Sequence, residues 1–244
     1  MRTALVTGAT GSVGQAIVER LLLANSKVRV IGSYRENSKR ARETAEKYGI
    51  EMIELDFATD FLSHLPKDVS ILVNNAGINI TKGQVAELNE ADWSVTHQVN
   101  LDGPFRLCQR YLPFMVSQGW GRIVNVSSIY GLRGSANNGP YNSSKHALSG
   151  LMKSIAVEYG PLGITCNEVC PGPIDSEMVD RILSARAAAG GSSLEVTKQE
   201  FISTLRSGRM VAPTEVASAV CYLTSEEASG INGASLIVDA GLTC

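Results

Sequence analysis

Short apolar runs alternate along this chain with segments whose apolar residues recur every three to four positions. Ala4-Leu5-Val6 is the first run, and Ile17, Val18, Leu21 and Leu22 follow it at helical spacing. Lys27 to Gly32 reads as a second strand, and Ser38 to Tyr48 as a polar helix whose charges form a solvated face. Met52 to Asp56, Ile71 to Val73 and Arg122 to Val126 are further strand-type runs. Gly163 to Val169 is the sixth, and Ala234 to Gly241 is a final strand and turn. Long helices are predicted over about residues 91–118, from near Tyr141 to about Tyr159, and from Pro213 through Leu223. The stretch between Asp56 and Ile71 is short and contains Pro66, which leaves room for one or two helical turns. Strands alternate with helices with no compositional break and no repeat. That order predicts an α/β architecture, one doubly wound parallel sheet of about seven strands in a single domain over residues 1–244.

Composition narrows the function classes. The 244 residues are 44% hydrophobic with a formal charge of −2. There is no basic excess to suggest nucleic acid. No stretch reaches the roughly 18 apolar residues of a membrane span. The N-terminus enters a strand directly, without a signal-peptide pattern. Cys108, Cys166, Cys170, Cys221 and Cys244 show no disulfide or zinc spacing and read as small apolar residues, so no metal site is expected. A reducing cytoplasm is the expected compartment.

Two stretches carry candidate chemistry. The first is Thr7-Gly8-Ala9-Thr10-Gly11-Ser12-Val13-Gly14, set between a strand and a helix. Glycines there let the backbone turn tightly and bring a pyrophosphate to the helix N-terminus, as in Rossmann folds. At the end of the second strand, where a carboxylate would hold an NAD ribose, the chain has Gly32, Ser33, Tyr34 and Arg35. Without repulsion against a 2′-phosphate, and with donors on Ser33 and Arg35, NADP(H) is expected rather than NAD(H). The alternatives are that Glu36 swings in, or that Arg35 merely decorates the surface. The second stretch runs from Ser127 to Lys145. Tyr141 and Lys145 are one helical turn apart and share a face. An ammonium beside the phenol would lower its pKa and make it usable as acid or base. Ser128, at a strand end, could bond a substrate oxygen.

Ser128 followed by Tyr141-x-x-x-Lys145 resembles the active site of the short-chain dehydrogenase/reductase family, and the resemblance extends over nearly the whole chain. Asn74-Asn75-Ala76-Gly77, Asn100 and Pro171-Gly172 fall in the family's order. One departure is Ser12, where single-domain members usually carry glycine. The resulting Gly8, Gly11, Gly14 spacing resembles the family's extended branch, whereas length and the other motifs fit the single-domain branch. The resemblance implies hydride transfer between NADP(H) and a carbonyl or secondary alcohol. Tyr141 would donate the proton, Lys145 would lower its pKa and bond the nicotinamide ribose, and Ser128 would polarise the oxygen. Asn100 would kink its helix and anchor a proton-relay water. Gly8, Gly11, Ser12, Val13, Gly14, Ser33, Arg35, Asn75, Ala76 and Gly77 would line the cofactor site. Asp56 would lie beside the adenine, unless it only caps a helix. Pro171, Gly172 and Ile174 would lie along the nicotinamide, and Ser176 would contact its carboxamide or the phosphates.

Residues 177–208 read as a helix pair broken at Gly190-Gly191. With Met178, Val179, Ile182 and Leu183 on one face, the pair suggests a mobile lid over a partly apolar substrate. A carbonyl reductase on a small or medium molecule is the first reading. A 3-oxoacyl-carrier-protein reductase is the second. Gly119 and Leu162 stand where such reductases often place arginines for the acidic carrier, with Arg122 and Arg133 as substitutes. A non-catalytic dinucleotide sensor is a third. By resemblance, a homo-tetramer or homo-dimer would form through the two long helices and the last strand.

Overall fold

The computed structural model describes residues 1–24, 27–36, 38–59, 62–80 and 82–244. Seven parallel strands form one sheet in the order β3-β2-β1-β4-β5-β6-β7. They are β1 (Arg2–Val6), β2 (Val28–Tyr34), β3 (Glu51–Glu54), β4 (Val69–Asn74), β5 (Gly121–Val126), β6 (Ile164–Pro171) and β7 (Ser235–Val238). Every position of β4, β5 and β6 is buried, the apolar residues and also the polar Asn74, Arg122, Asn125, Asn167 and Glu168.

The helices are α1 (Ser12–Ala24), α2 (Ser38–Tyr48), α3 (Glu90–His97), α4 (Gly103–Gln118), α5 (Gly139–Tyr159), α6 (Glu177–Gly190), α7 (Leu194–Ser203) and α8 (Pro213–Leu223). One core packs Ile17, Val18 and Leu21 of α1 with Val216 and Val220 of α8 against one face of the sheet. The other packs Leu107, Tyr111 and Met115 of α4 with Met152 and Ile155 of α5 against the opposite face. The strand order reverses between β1 and β4, and the crevice beyond their carboxyl ends is where open α/β sheets take ligands.

The expected single helix over 91–118 is instead three pieces. Gln98–Asp102 forms a π-helical turn between α3 and α4, with Asn100 at its centre. β2 continues two residues past Gly32, because Ser33 and Tyr34 pair with Ile53 and Glu54. Gly32 has a packing reason for being glycine, since a Cβ there would stand 2.4 Å from Met52 Sδ and 2.7 Å from Ala9 Cβ. The stretch containing Pro66 holds one short 3-10 turn, Leu62–His64.

Candidate active site

The glycine turn joins β1 to α1. Gly8 has φ +64°, and a Cβ on Gly14 would stand 2.2 Å from the Gly8 carbonyl oxygen. These two positions therefore demand glycine, one for its backbone angle and one for close approach. Ser12 replaces a glycine without disturbing the turn, being the first residue of α1. The turn is braced from β4. Asn75 Nδ2 donates to the Thr7 and Gly8 carbonyls at 2.8 and 3.2 Å, and the Asn75 and Ala76 N–H groups donate to Thr7 Oγ1. Behind it, Asn74 Nδ2 donates to Asn125 Oδ1 at 2.8 Å, tying β4 to β5. The N–H groups at the start of α1 face a cavity of about 620 Å³ that runs along the carboxyl ends of the strands. A helix N-terminus on the cavity wall, behind glycines at positions 8 and 14 that no side chain can replace, fits a dinucleotide pyrophosphate.

All the residues expected to hold the cofactor line this cavity except Asp56. Asp56 Oδ1 accepts from the Ala58 N–H at 2.9 Å, and Leu55 and Phe57 face the cavity on either side of it. Ser33 is buried behind the turn, where its Oγ accepts from the Gly8 N–H at 3.4 Å. Arg35 lies on the rim and pairs with Glu36 at 2.7 Å. Pro171, Gly172, Ile174 and Ser176 form the far wall, held down by the bond from the Gly172 N–H to the Val238 carbonyl.

Ser128, Tyr141, Lys145 and Asn100 come together at the end of β5. Tyr141 and Ser128 line the same part of the cavity, close enough for the Ser128 hydroxyl to influence the phenol. Lys145 is 3% exposed, and its Nζ donates to the Val126 carbonyl at 3.0 Å. A Cβ on Gly77 would stand 3.4 Å from Asn100 Oδ1 and 3.5 Å from Lys145 Nζ, so this backbone packs directly against both side chains. Asn100 is fully buried. Its Oδ1 accepts from the Ile78 N–H at 2.9 Å, and its Nδ2 donates to the Ile78 carbonyl at 2.9 Å and to Ser144 Oγ at 3.1 Å. It thereby locks the π-helical turn to the segment after β4 and to α5.

Burial, rather than the neighbouring ammonium, sets the Tyr141 pKa. Loss of water pushes the phenol up to about 12, against a smaller downward pull from the Ser128 hydroxyl. The expected lowering by Lys145 is not what the geometry produces, because Nζ stands 5.7 Å from the ring centroid and is directed at a carbonyl. Burial also pulls Lys145 down to about 8, with Glu168 pushing the other way. Tyr141 is thus a protonated phenol at neutral pH, set to give a proton rather than take one.

A family model described as enoyl-(acyl carrier protein) reductase matches residues 8–243. The chain is 36% identical over 252 residues to the 3-oxoacyl-[acyl-carrier-protein] reductase of Aquifex aeolicus, covering 99% of this chain and 97% of that one. It is 33% identical over 260 residues to a 3beta-hydroxysteroid dehydrogenase of Mediterraneibacter gnavus, covering 98% and 94%. The solved structure of a variant actinorhodin polyketide ketoreductase with NADPH matches with a TM-score of 0.91 at 31% identity, covering 99% and 97%. The chain belongs to the short-chain dehydrogenase/reductase family.

Within that family frame, several cavity residues escaped the motif reading. Ile129, Tyr130 and Ile78 have no motif signal beyond their neighbours. Asn79 lines the cavity with a buried Oδ1 that has no partner among the described residues. Glu177 is the most consequential. It opens α6, pairs with Arg40 of α2 at 2.5 Å, and its carboxyl is drawn towards the Ser12 backbone at the start of α1. Burial raises this carboxyl, but Arg40 and the backbone N–H groups outweigh it and leave it below the ordinary carboxylate value. A carboxylate thus occupies the helix terminus that suits a pyrophosphate. Glu177→Gln is expected to tighten NADPH binding by roughly two- to fivefold in a fluorescence titration, the size of a charge interaction at a helix end. Unchanged or weaker binding would show that the carboxylate does not compete.

Proposed function

We propose that this protein is an NADP(H)-dependent carbonyl reductase, interconverting a ketone and a secondary alcohol on a small or medium, partly apolar molecule. The observation that carries this reading is the meeting of Ser128, Tyr141 and Lys145, braced by Asn100, at one end of a cavity that begins at the glycine turn. NADP(H) bound along Gly8–Gly14, Asn75–Gly77 and Pro171–Ile174 would supply or accept the hydride. Tyr141 gives its proton to the substrate oxygen, and Ser128 donates a second hydrogen bond that orients and polarises it. Lys145 holds positive charge beside the phenol as it loses its proton. Asn100 fixes the backbone around that lysine and anchors the route by which the proton is replaced. Ile129, Met178, Val179, Ile182 and Phe201 present an apolar wall to the substrate and keep water out.

NADP(H) is favoured over NAD(H) by the missing carboxylate at the end of β2 and by Ser33 and Arg35 beside the cavity. The related ketoreductase with NADPH supports the same choice. The Arg35–Glu36 pair would have to open for Arg35 to reach a phosphate. The lid is α6 and α7, stapled by Lys198 Nζ to Asp175 and Asp180 at 2.8 and 3.1 Å.

The identity to the Aquifex reductase favours a second reading, reduction of a 3-oxoacyl group on a carrier protein. Arg122 does not serve it, since it is buried and paired with Glu226 at 3.4 Å. Arg133 remains exposed, beside Tyr130 at the cavity mouth. The protein is read as cytoplasmic, with no nucleic-acid partner. No helix among the described residues is long and apolar enough to cross a membrane. Assembly into a homo-tetramer is supported by exposed Phe105 on α4, Val157 on α5 and Ile237 on β7, the elements the family joins. Light scattering should give four times the 26.0 kDa chain mass, and a monomer would refute assembly.

Tyr141→Phe should lower kcat by about a thousandfold or more while NADPH still binds. NADPH oxidation over a panel of ketones and 3-oxoacyl thioesters reads both questions. Turnover kept by the variant would overturn the assignment of Tyr141, and activity confined to carrier-bound thioesters would replace the first reading by the second.

A further inference from the structure

β6 is buried along its whole length, yet position 168 at its centre is a glutamate with no exposure. A carboxylate placed there is costly unless it is hydrogen-bonded and faces a compensating charge. Both conditions are met. Ser149 Oγ lies 2.8 Å from each carboxylate oxygen, and Ser235 Oγ donates to Oε1 at 2.6 Å. The Cys170 thiol, two residues further along the same face of β6, is also in hydrogen-bond contact with the carboxylate. These partners come from α5, β7 and β6, so the pocket around Glu168 is assembled by three elements.

The compensating charge is Lys145. It lies one turn before Ser149 on α5, almost fully buried, and its ammonium has the neutral Val126 carbonyl as hydrogen-bond acceptor. The remaining titratable groups around the pair are Tyr141 of α5, Cys166 and Cys170 of β6, and Cys108 of α4. Burial pushes all of them up, so they are neutral at working pH. Geometry places the Glu168 carboxyl near the ammonium: it is held by Ser149, one turn along α5 from Lys145, and it sits opposite Asn125, next to the Val126 whose carbonyl Lys145 bonds. Nothing in the proton transfer itself uses Glu168, which is not among the residues that line the cavity.

We propose that Glu168 is a positioning residue whose buried carboxylate holds Lys145 in its ammonium form, and so sets the upper pH at which Tyr141 can act. The proposal rests on the reading of Tyr141 and Lys145 as the proton-transfer pair. The sign follows from the charges. Burial alone drives the proton off Lys145, and the carboxylate opposes that loss. Removing the negative charge leaves burial unopposed, so Lys145 deprotonates at lower pH and activity fails earlier on the alkaline side.

The test is the pH profile of kcat for ketone reduction in Glu168→Gln, which keeps the volume and an acceptor for Ser149 and Ser235. The alkaline limb should move down by about one pH unit, so that the ratio of variant to wild-type rate falls roughly tenfold between pH 6 and pH 9. A limb at the wild-type position overturns the proposal, as does a loss of rate that is equal at every pH, which marks a purely structural role. If the variant does not fold, carbon-13 NMR of glutamate-labelled wild-type protein decides. The proposal requires the Glu168 carboxyl to be ionised through the pH range of activity, and a protonated carboxyl there overturns it. Failure of the underlying reading looks different, because Tyr141→Phe would then keep wild-type turnover.

Discussion

A lysine ammonium buried at the end of a central parallel strand is the constraint on which the site depends. Lys145 has almost no water around it and is held by the Val126 carbonyl, the last of β5. That carbonyl is fixed in place because β4 and β6 flank β5 on both sides. α5 brings the lysine to it by packing Leu148, Met152 and Ile155 onto the sheet. The π-helical turn at Asn100 sets the third wall. Ser128, Tyr141 and Lys145 are therefore mounted on a central strand end and the helix packed against the sheet, while α6 and α7 supply apolar residues elsewhere on the cavity wall.

That division explains why closely similar chains bear such different names. Relatives at about a third identity include an acyl-carrier reductase and a steroid dehydrogenase. On the proposed reading, the glycine turn, the Asn75 brace and the Tyr141–Lys145 pair serve the cofactor and the carbonyl, which those chemistries share. The apolar positions of α6 and α7 would then serve the rest of the substrate. The ion pair from Arg40 to Glu177 links α2 to the start of α6.

Much of the fold was legible because the central strands are buried on both faces and the long helices carry regular apolar stripes. The motif residues were legible because glycine at positions 8 and 14, and asparagine at 75, answer backbone requirements that few residues meet. Tertiary effects were not legible. Asn100 in mid-helix hinted at a defect but not at a π-helical turn. The ion pair of Glu177 joins residues far apart in the chain, with no local signal. Arg122 read as an available surface cation and is buried against Trp120 and Glu226. The direction of the Tyr141 shift was misjudged because spacing reveals a neighbouring charge but not the loss of water. Glu168 read only as an acid within a strand, and its hydrogen bonds to Ser149 of α5 and Ser235 of β7 join residues that no local pattern connects.

The central claim is that this cluster moves a hydride equivalent between a nicotinamide and a carbonyl carbon. The most direct measurement is the fate of deuterium placed on C4 of NADPH during reduction of a ketone the protein accepts. The account predicts deuterium on the carbinol carbon from a single face of the labelled cofactor, with transfer from NADPH faster than from NADH. Oxidation of NADPH that leaves the carbinol carbon unlabelled from either face would contradict it.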